Sequence, residues 1–267
     1  MSDARIELPK TLKAPLYQGV VTAAVAPLYD EDSLKTGLQT ELIHGHIFTV
    51  YREGDNWVWG QASPLIKGSA RKGYIGFVAK ADIEAYDGID ATHCITALRA
   101  PLFSQANIKS PIERLLPLNA RFAIKGDDEG FVETVTGHFI HSRHVRALSA
   151  PAAIQDYVTV AERYLGAPYV WGGTGLRGVD CSGLVQMSLC AAGIDAPRDA
   201  NMQEADLGVS HEGELKRGDL IFWPGHVGVM SDESTLLHAN AFHMCTEKEP
   251  YKTAKARIGN PRSIKRL

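Results

Sequence analysis

The chain contains a second copy of part of itself, and that limits its fold more than any other feature. Residues 20–58 align without a gap on residues 94–132. Thr22, Ala23, Ala26, Pro27, Leu28, Lys35, Leu42, Phe48 and Val58 recur unchanged, and Val50 and Trp57 recur as Ile124 and Phe131. Most of the shared positions are apolar, so both copies must bury the same pattern. Within the first copy, Ile47–Tyr51, Asn56–Gly60 and Gly73–Val78 are short β-branched and aromatic runs set between Gly, Asp and Pro clusters. Such runs read as strands of a small barrel or sandwich. Two copies of one small β-barrel are therefore predicted. The first carries an extra loop, Ala62 to Lys72, that the second lacks ahead of Thr136–Ile140.

Beyond residue 150 the pattern changes. Ile154, Tyr157, Val158, Ala161 and Leu165 fall at helical spacing and predict a helix over 152–165, stopped by Gly166 and Pro168. A second helix is predicted from Asp180-Cys181 to Gly193. Strands follow at Asp219–Trp223, His226–Met230 and Leu236–Ala239. Helices followed by an antiparallel meander make an α+β layout. The expected organisation is an extension over 1–17, barrels over 18–90 and 91–150, and a third domain over 151–267.

Across 267 residues, 28 Lys+Arg stand against 31 Asp+Glu for a net charge of −3. That balance gives no electrostatic drive toward nucleic acid. No apolar run approaches the roughly 18 residues of a membrane span, so no membrane partner is expected. The 4 cysteines show no CxxC spacing, and the opening residues lack a basic segment followed by an apolar one. A reduced, cytoplasmic setting is the expectation.

The chemistry concentrates in the third domain. Asp180 is a good N-cap, which puts Cys181 in the first turn of its helix. Unpaired N–H groups and the positive dipole end favour a thiolate there, and the same N–H groups suit an oxyanion. A cysteine is also commonly a small core residue, and Cys94, Cys190 and Cys245 read that way. For Cys181, two histidines change the balance. His226 starts a strand after the Pro224-Gly225 turn, and His238 follows at a spacing that suits the adjacent antiparallel strand. One imidazole would then orient the other as general base.

Pro168–Gly173, Asp180–Gln186, Gly218–Trp223, Gly225–Val229 and His238-Ala239, in that order, resemble the NlpC-type cell-wall cysteine peptidases, a papain-like family. The two barrels resemble bacterial SH3-like domains. The resemblance implies a fold of two small SH3-like β-barrels followed by a papain-like α+β peptidase domain, with the barrels packed on that domain. It implies Cys181 as nucleophile, His226 as general base, His238 as its orienting partner and Tyr169 facing the sulfur to help the oxyanion hole. The full arrangement, with Pro197-Arg198-Asp199 after the nucleophile helix, is similar to γ-D-glutamyl-L-diamino acid endopeptidases. The implied substrate is a tripeptide or tetrapeptide from peptidoglycan, L-Ala-γ-D-Glu-diamino acid, with a free N-terminal amine. By the same resemblance Asp199 would pair with that ammonium, Tyr74 would close the pocket and Glu41 would be a second anionic partner, while Asp180 and Ser182 flank the nucleophile in the substrate site. Intact wall has the amine blocked by sugar, which implies recycling of released fragments.

Two other readings compete with this one. A wall-peptide-binding protein with a silent peptidase domain would show an incomplete triad, and all three positions are filled here. An amidase or acyltransferase on the same scaffold would differ in its products. No cofactor is expected. His44, His46, His138, His141 and His144 have no acidic or thiol partner at ligand spacing, so no metal is expected. Arg257, Arg262, Lys265 and Arg266 read as a solvated final strand.

Overall fold

In the computed structural model, residues 3–267 are described. Met1 and Ser2 of the expected N-terminal extension lie outside them. The chain divides into two units, residues 1–153 and 154–267.

The first unit is β throughout. Its strands are β1 (Tyr17–Val21), β2 (Val25–Tyr29), β3 (Leu38–Ile43), β4 (Ile47–Glu53), β5 (Trp57–Ala62), β6 (Ile75–Ala79) and β7 (Ile83–Ala85). They are followed by β8 (His93–Ile95), β9 (Arg99–Phe103), β10 (Ile112–Pro117), β11 (Arg121–Phe122), β12 (Ile124–Asp128), β13 (Phe131–Thr134), β14 (Phe139–His141) and β15 (Val145–Ala147). The first seven form one sheet in the order β3-β2-β6-β5-β4-β1-β7. The next eight repeat that order as β10-β9-β14-β13-β12 and β11-β8-β15. The single strand β4 corresponds to β11 and β12 together. The break falls at Ala123, whose carbonyl accepts instead from the N–H of Val135.

Repeated sequence and repeated topology have one cause. Val21 and Ile95, Ala26 and Ala100, Leu28 and Leu102, Leu42 and Leu116, Phe48 and Phe122, and Val58 and Val132 are buried pairwise at equivalent positions. Because strand side chains alternate, a one-residue slip in either copy would turn this whole set outward. The expectation of closed barrels is corrected. Among the described residues no ladder joins β3 to β7, so the first sheet keeps two edges. The expected extension is also tied to this unit, since the carbonyls of Arg5 and Ile6 accept from the Ile75 N–H and the Gln61 amide.

The second unit is mixed. It contains α1 (Tyr157–Glu162), α2 (Cys181–Ala191), α3 (Ala200–Asp206), β16 (Val209–Ser210), β17 (Leu220–Trp223), β18 (His226–Met230), β19 (Thr235–Asn240), β20 (Cys245–Pro250), α4 (Tyr251–Ile258) and β21 (Ser263–Arg266). The first helix is shorter than its apolar spacing predicts. The Asp156 carboxylate accepts from the Val158 N–H at 3.0 Å and the Thr159 hydroxyl at 2.9 Å, so the helix begins at 157 rather than 152. The sheet runs β16-β21-β17-β18-β19-β20, with every pairing antiparallel. Helix α2 packs against β18 and β19. Ala254 of α4 joins Ile221, Trp223, Met230 and Leu236 in one buried cluster. No helix among the described residues is long and apolar enough to cross a membrane.

Candidate active site

Cys181 opens α2, and Asp180 caps it. One Asp180 oxygen accepts from the Gly183 N–H at 2.6 Å and the other from the Gly172 N–H at 2.9 Å, tying the glycine-rich turn to the helix start. Arg198 completes this base. Its guanidinium reaches both Asp180 oxygens at 2.9 and 2.7 Å and the Ser182 hydroxyl at 3.0 Å, and both charged side chains are buried. Gly183 makes the close approach possible, since a Cβ there would lie 2.3 Å from the Gly173 carbonyl oxygen.

The backbone N–H groups of Val227 and Ser182 lie near enough to the Cys181 sulfur to lower its pKa. The first of these belongs to the residue after His226, so the start of β18 meets the start of α2 at the thiol. Cys181 is only 7% exposed. Burial pushes its thiol up to about 11, and the adjacent Asp180 carboxylate adds to the rise. The two N–H groups and Arg198 act in the opposite direction. The expectation of a resting thiolate is therefore corrected: desolvation outweighs the helix terminus, and the sulfur holds its proton until a base takes it.

His226 is placed by a tight hairpin. Trp223 pairs with His226 across a two-residue turn in which Pro224 presets the backbone and Gly225 adopts φ +71°. The Trp223 ring lies beside the imidazole at 5.8 Å between centroids and is itself anchored by its indole N–H to the Gly259 carbonyl at 2.9 Å. Val229 and Met230 pair with Leu237 and Leu236, and continuing that register puts Gly228 opposite His238. His226 is thus a diagonal neighbour of His238 on one sheet face. Nε2 of His226 lies 2.9 Å from Nδ1 of the fully buried His238. Burial first, then His238 and Arg257, drives His226 down to about 3, so both rings are neutral at rest. Burial likewise lowers His238, against the pull of Glu249.

Nε2 of His238 in turn lies 2.8 Å from Oε1 of Glu249, and Arg257 binds both oxygens of that carboxylate, one at 2.9 Å. Tyr169, half-buried, is fixed through its N–H to the Met244 carbonyl at 2.9 Å. Its hydroxyl is pushed up to about 12 by burial and then by the charges of Cys181 and Asp180, which places it in the field of the thiol. A neutral base aligned by a chain of hydrogen bonds, a thiol at a helix start and a hydroxyl beside it can carry out nucleophilic acyl transfer.

Residues 166–257 match the model of the NlpC/P60 family. The chain carries an NlpC/P60 domain, and with it is a cysteine peptidase. Over 246 residues it is 26% identical to dipeptidyl-peptidase 6 of Lysinibacillus sphaericus, covering 83% of this chain and 87% of that protein. It is 29% identical over 220 residues to a γ-D-glutamyl-L-lysine dipeptidyl-peptidase of Bacillus subtilis, covering 76% and 72%. The crystal structure of an NlpC/P60 family protein from Bacillus cereus superposes with a TM-score of 0.80 at 19% identity, over 93% of this chain and 99% of that one. That likeness is one of fold.

Of the residues singled out in the sequence, the NlpC/P60 domain joins His226 to His238 and Ser182 to Asp180 by hydrogen bonds, and it sets Tyr169 in the field of the Cys181 thiol. Asp199 is the half-buried N-cap residue of α3, and its side chain makes no cap hydrogen bond. Tyr74 and Glu41 belong to the first unit and are buried, at 4% and 3% exposure, with the Arg5 guanidinium 5.3 Å from the Tyr74 ring centre. Glu249, Arg257 and Arg198 escaped the sequence reading. Glu249 sits in the charged stretch Glu247-Lys248-Glu249, which reads as a solvated face. The one available signal was its alternation with Glu247 on a strand after His238.

His238, His243 and Glu249 also bring potential ligand atoms within 4.8 Å of one another. The NlpC/P60 domain uses these groups otherwise. Both nitrogens of His238 are engaged, Glu249 is held by the Arg257 cation, and Nδ1 of His243 faces Oδ1 of the Asn240 side chain at 3.1 Å. A guanidinium at that carboxylate disfavours a second cation, so this donor set does not fit a metal.

Proposed function

We propose that the chain hydrolyses the γ-D-glutamyl–diamino acid bond of peptidoglycan-derived stem peptides that carry a free N-terminal L-Ala. The His226–His238 hydrogen bond, together with the effect on the Cys181 thiol of the Val227 N–H next in the chain to His226, carries the catalytic half of this reading. The two relatives matched over most of their length, a dipeptidyl-peptidase and a γ-D-glutamyl-L-lysine dipeptidyl-peptidase, support the substrate half.

In this scheme Nδ1 of His226, the ring nitrogen not bonded to His238, takes the Cys181 proton as the sulfur attacks the γ-carbonyl carbon. The resulting oxyanion lies at the start of α2, where backbone N–H groups are unpaired by helix geometry, with the Tyr169 hydroxyl as an added donor. The intermediate collapses to a thioester as the imidazolium returns its proton to the departing amine. Water, deprotonated by the same ring, then cleaves the thioester and restores the thiol. Asp199 is assigned to the substrate ammonium, since a carboxylate there favours a free amine over an acylated one. That preference selects released fragments, in line with a cytoplasmic recycling role. The two β repeats of the first unit are read as SH3-like modules.

Turnover of L-Ala-γ-D-Glu-diaminopimelate tests the proposal. Cys181→Ala should abolish release of the diamino acid while the far-ultraviolet circular dichroism stays native, and N-acetylation of the substrate should remove most of the activity. Equal rates on free and acetylated peptide would refute the Asp199 assignment. Turnover by the alanine variant would refute the mechanism.

A further inference from the structure

The hydrogen-bond chain behind the thiol has a direction, and its far end decides that direction. A carboxylate only accepts and a guanidinium only donates, whereas a neutral imidazole does both, one nitrogen each. Glu249 is buried, at 7% exposure, and both its oxygens are bound by Arg257. The guanidinium is also steadied over the Phe242 ring, at 4.3 Å from its centre. Arg257 holds the Glu249 carboxyl below the usual carboxylate range, with His238 assisting. The atom 2.8 Å from Nε2 of His238 is therefore an obligate acceptor.

We propose that Glu249, clamped by Arg257, is a positioning residue that fixes the tautomers of both histidines. With Oε1 accepting, the His238 proton must sit on Nε2, which leaves His238 Nδ1 bare. Across the 2.9 Å contact the only compatible partner is a His226 ring protonated at Nε2. Nδ1 of His226 is then unprotonated, which is the state a base needs to receive a thiol proton. Were the far group a donor, each step would reverse and His226 Nδ1 would already hold a proton. The pair thus imposes through two imidazoles a polarity that neither ring sets for itself. Once His226 is protonated during the reaction, the Glu249 charge also offsets the new imidazolium.

This inference rests on the Cys181–His226 reading above, and its test separates the two. In Glu249→Met the length is kept but the acceptor is gone. Arg257 binds both carboxylate oxygens, Oε1 among them, so a glutamine could keep its oxygen facing His238; methionine leaves Nε2 of His238 with no acceptor, and nothing then holds the proton there. The experiment uses the full chain labelled with 15N at histidine, with tautomers read from nitrogen shifts and two-bond couplings. Iodoacetamide alkylation of Cys181 is timed in parallel, and kcat and KM are measured on the tripeptide. In the wild type, both His226 and His238 are expected to carry their proton on Nε2. In Glu249→Met, His226 is expected to carry its proton on Nδ1 in a substantial share of the molecules, with alkylation and kcat falling about tenfold or more as the correctly protonated base is depleted, and KM little changed. Arg257→Lys, which keeps a donor-only cation, should retain the wild-type tautomers.

Wild-type rings protonated at Nδ1 would overturn the inference even if the methionine variant fails to fold. So would a folded Glu249→Met with unchanged tautomers. If instead His226→Ala is alkylated as fast as the wild type, the Cys181–His226 pairing is the part that fails, and the nitrogen spectra still decide the role of Glu249.

Discussion

Replacing Arg198 by Met tests whether the nucleophile's position depends on a buried ion pair. The guanidinium makes two bonds to Asp180, at 2.9 and 2.7 Å, and one to Ser182 at 3.0 Å, with side-chain exposures of 7% for Arg198 and 11% for Asp180. Methionine fills similar volume but leaves the Asp180 carboxylate inside with only backbone N–H groups and the Ser182 hydroxyl. Stranding one member of a buried pair costs about 3–5 kcal/mol, far beyond the 0–1 kcal/mol of a surface pair. Asp180→Asn in the same background removes the stranded charge while keeping a side chain that can cap α2. The double variant should therefore recover roughly 2 kcal/mol relative to the sum of the single changes. Urea unfolding of the full chain, followed by tryptophan fluorescence and circular dichroism, measures all three. Arg198→Met should also shift Cys181 alkylation to higher pH, because a charge that lowers the thiol is gone. A cost below about 1 kcal/mol, or strict additivity of the two changes, would refute the view that this pair sets the start of α2.

Two further outcomes follow from the same site. The thiol lies near 11 in the folded chain against about 9 unfolded, so its contribution to stability is complete below pH 9 and is lost as pH rises toward 11. His226 is depressed from 6.5 to about 3, so its contribution is complete above pH 6.5 and is lost as pH falls toward 3. Cys181→Ser should thus flatten the alkaline limb of a stability–pH profile and His226→Asn the acid limb, and limbs unmoved by these changes would contradict the assigned burial effects. Separately, Gly228→Ala would put a methyl 2.8 Å from Leu236 Cδ1 and 3.2 Å from His238 Cβ, displacing the orienting ring. A roughly tenfold or larger loss of kcat with an intact fold is expected, and an unaffected kcat would show that the close β18–β19 approach is dispensable.

Local features that depend on spacing were legible in advance. The repeat predicted equivalent buried positions, and Val21 with Ile95 through Val58 with Val132 are indeed buried in pairs. Asp180 as cap, Cys181 at the helix start and His226 after a Pro-Gly turn are all properties of neighbours in the chain, and each lies where expected. The extent of α1 was overestimated because apolar periodicity carries no information about the Asp156 cap that intercepts the helix. The final strand, β21, was expected as solvated. It instead pairs with β17, and Arg266 reaches the buried Asp219.

Which residues stand in line was thus decided along the chain, and what state they stand in was decided across it. The amino-acid order by itself determined a duplicated β segment, a thiol at a helix start and two histidines on neighbouring strands, because helix caps, turns and strand alternation are short-range. Only tertiary packing decided that the thiol stays protonated, since desolvation depends on everything that surrounds the sulfur. It alone also brought Glu249 and Arg257 behind His238, because residues from β19, β20 and α4 meet there through pairing and packing that no local pattern encodes.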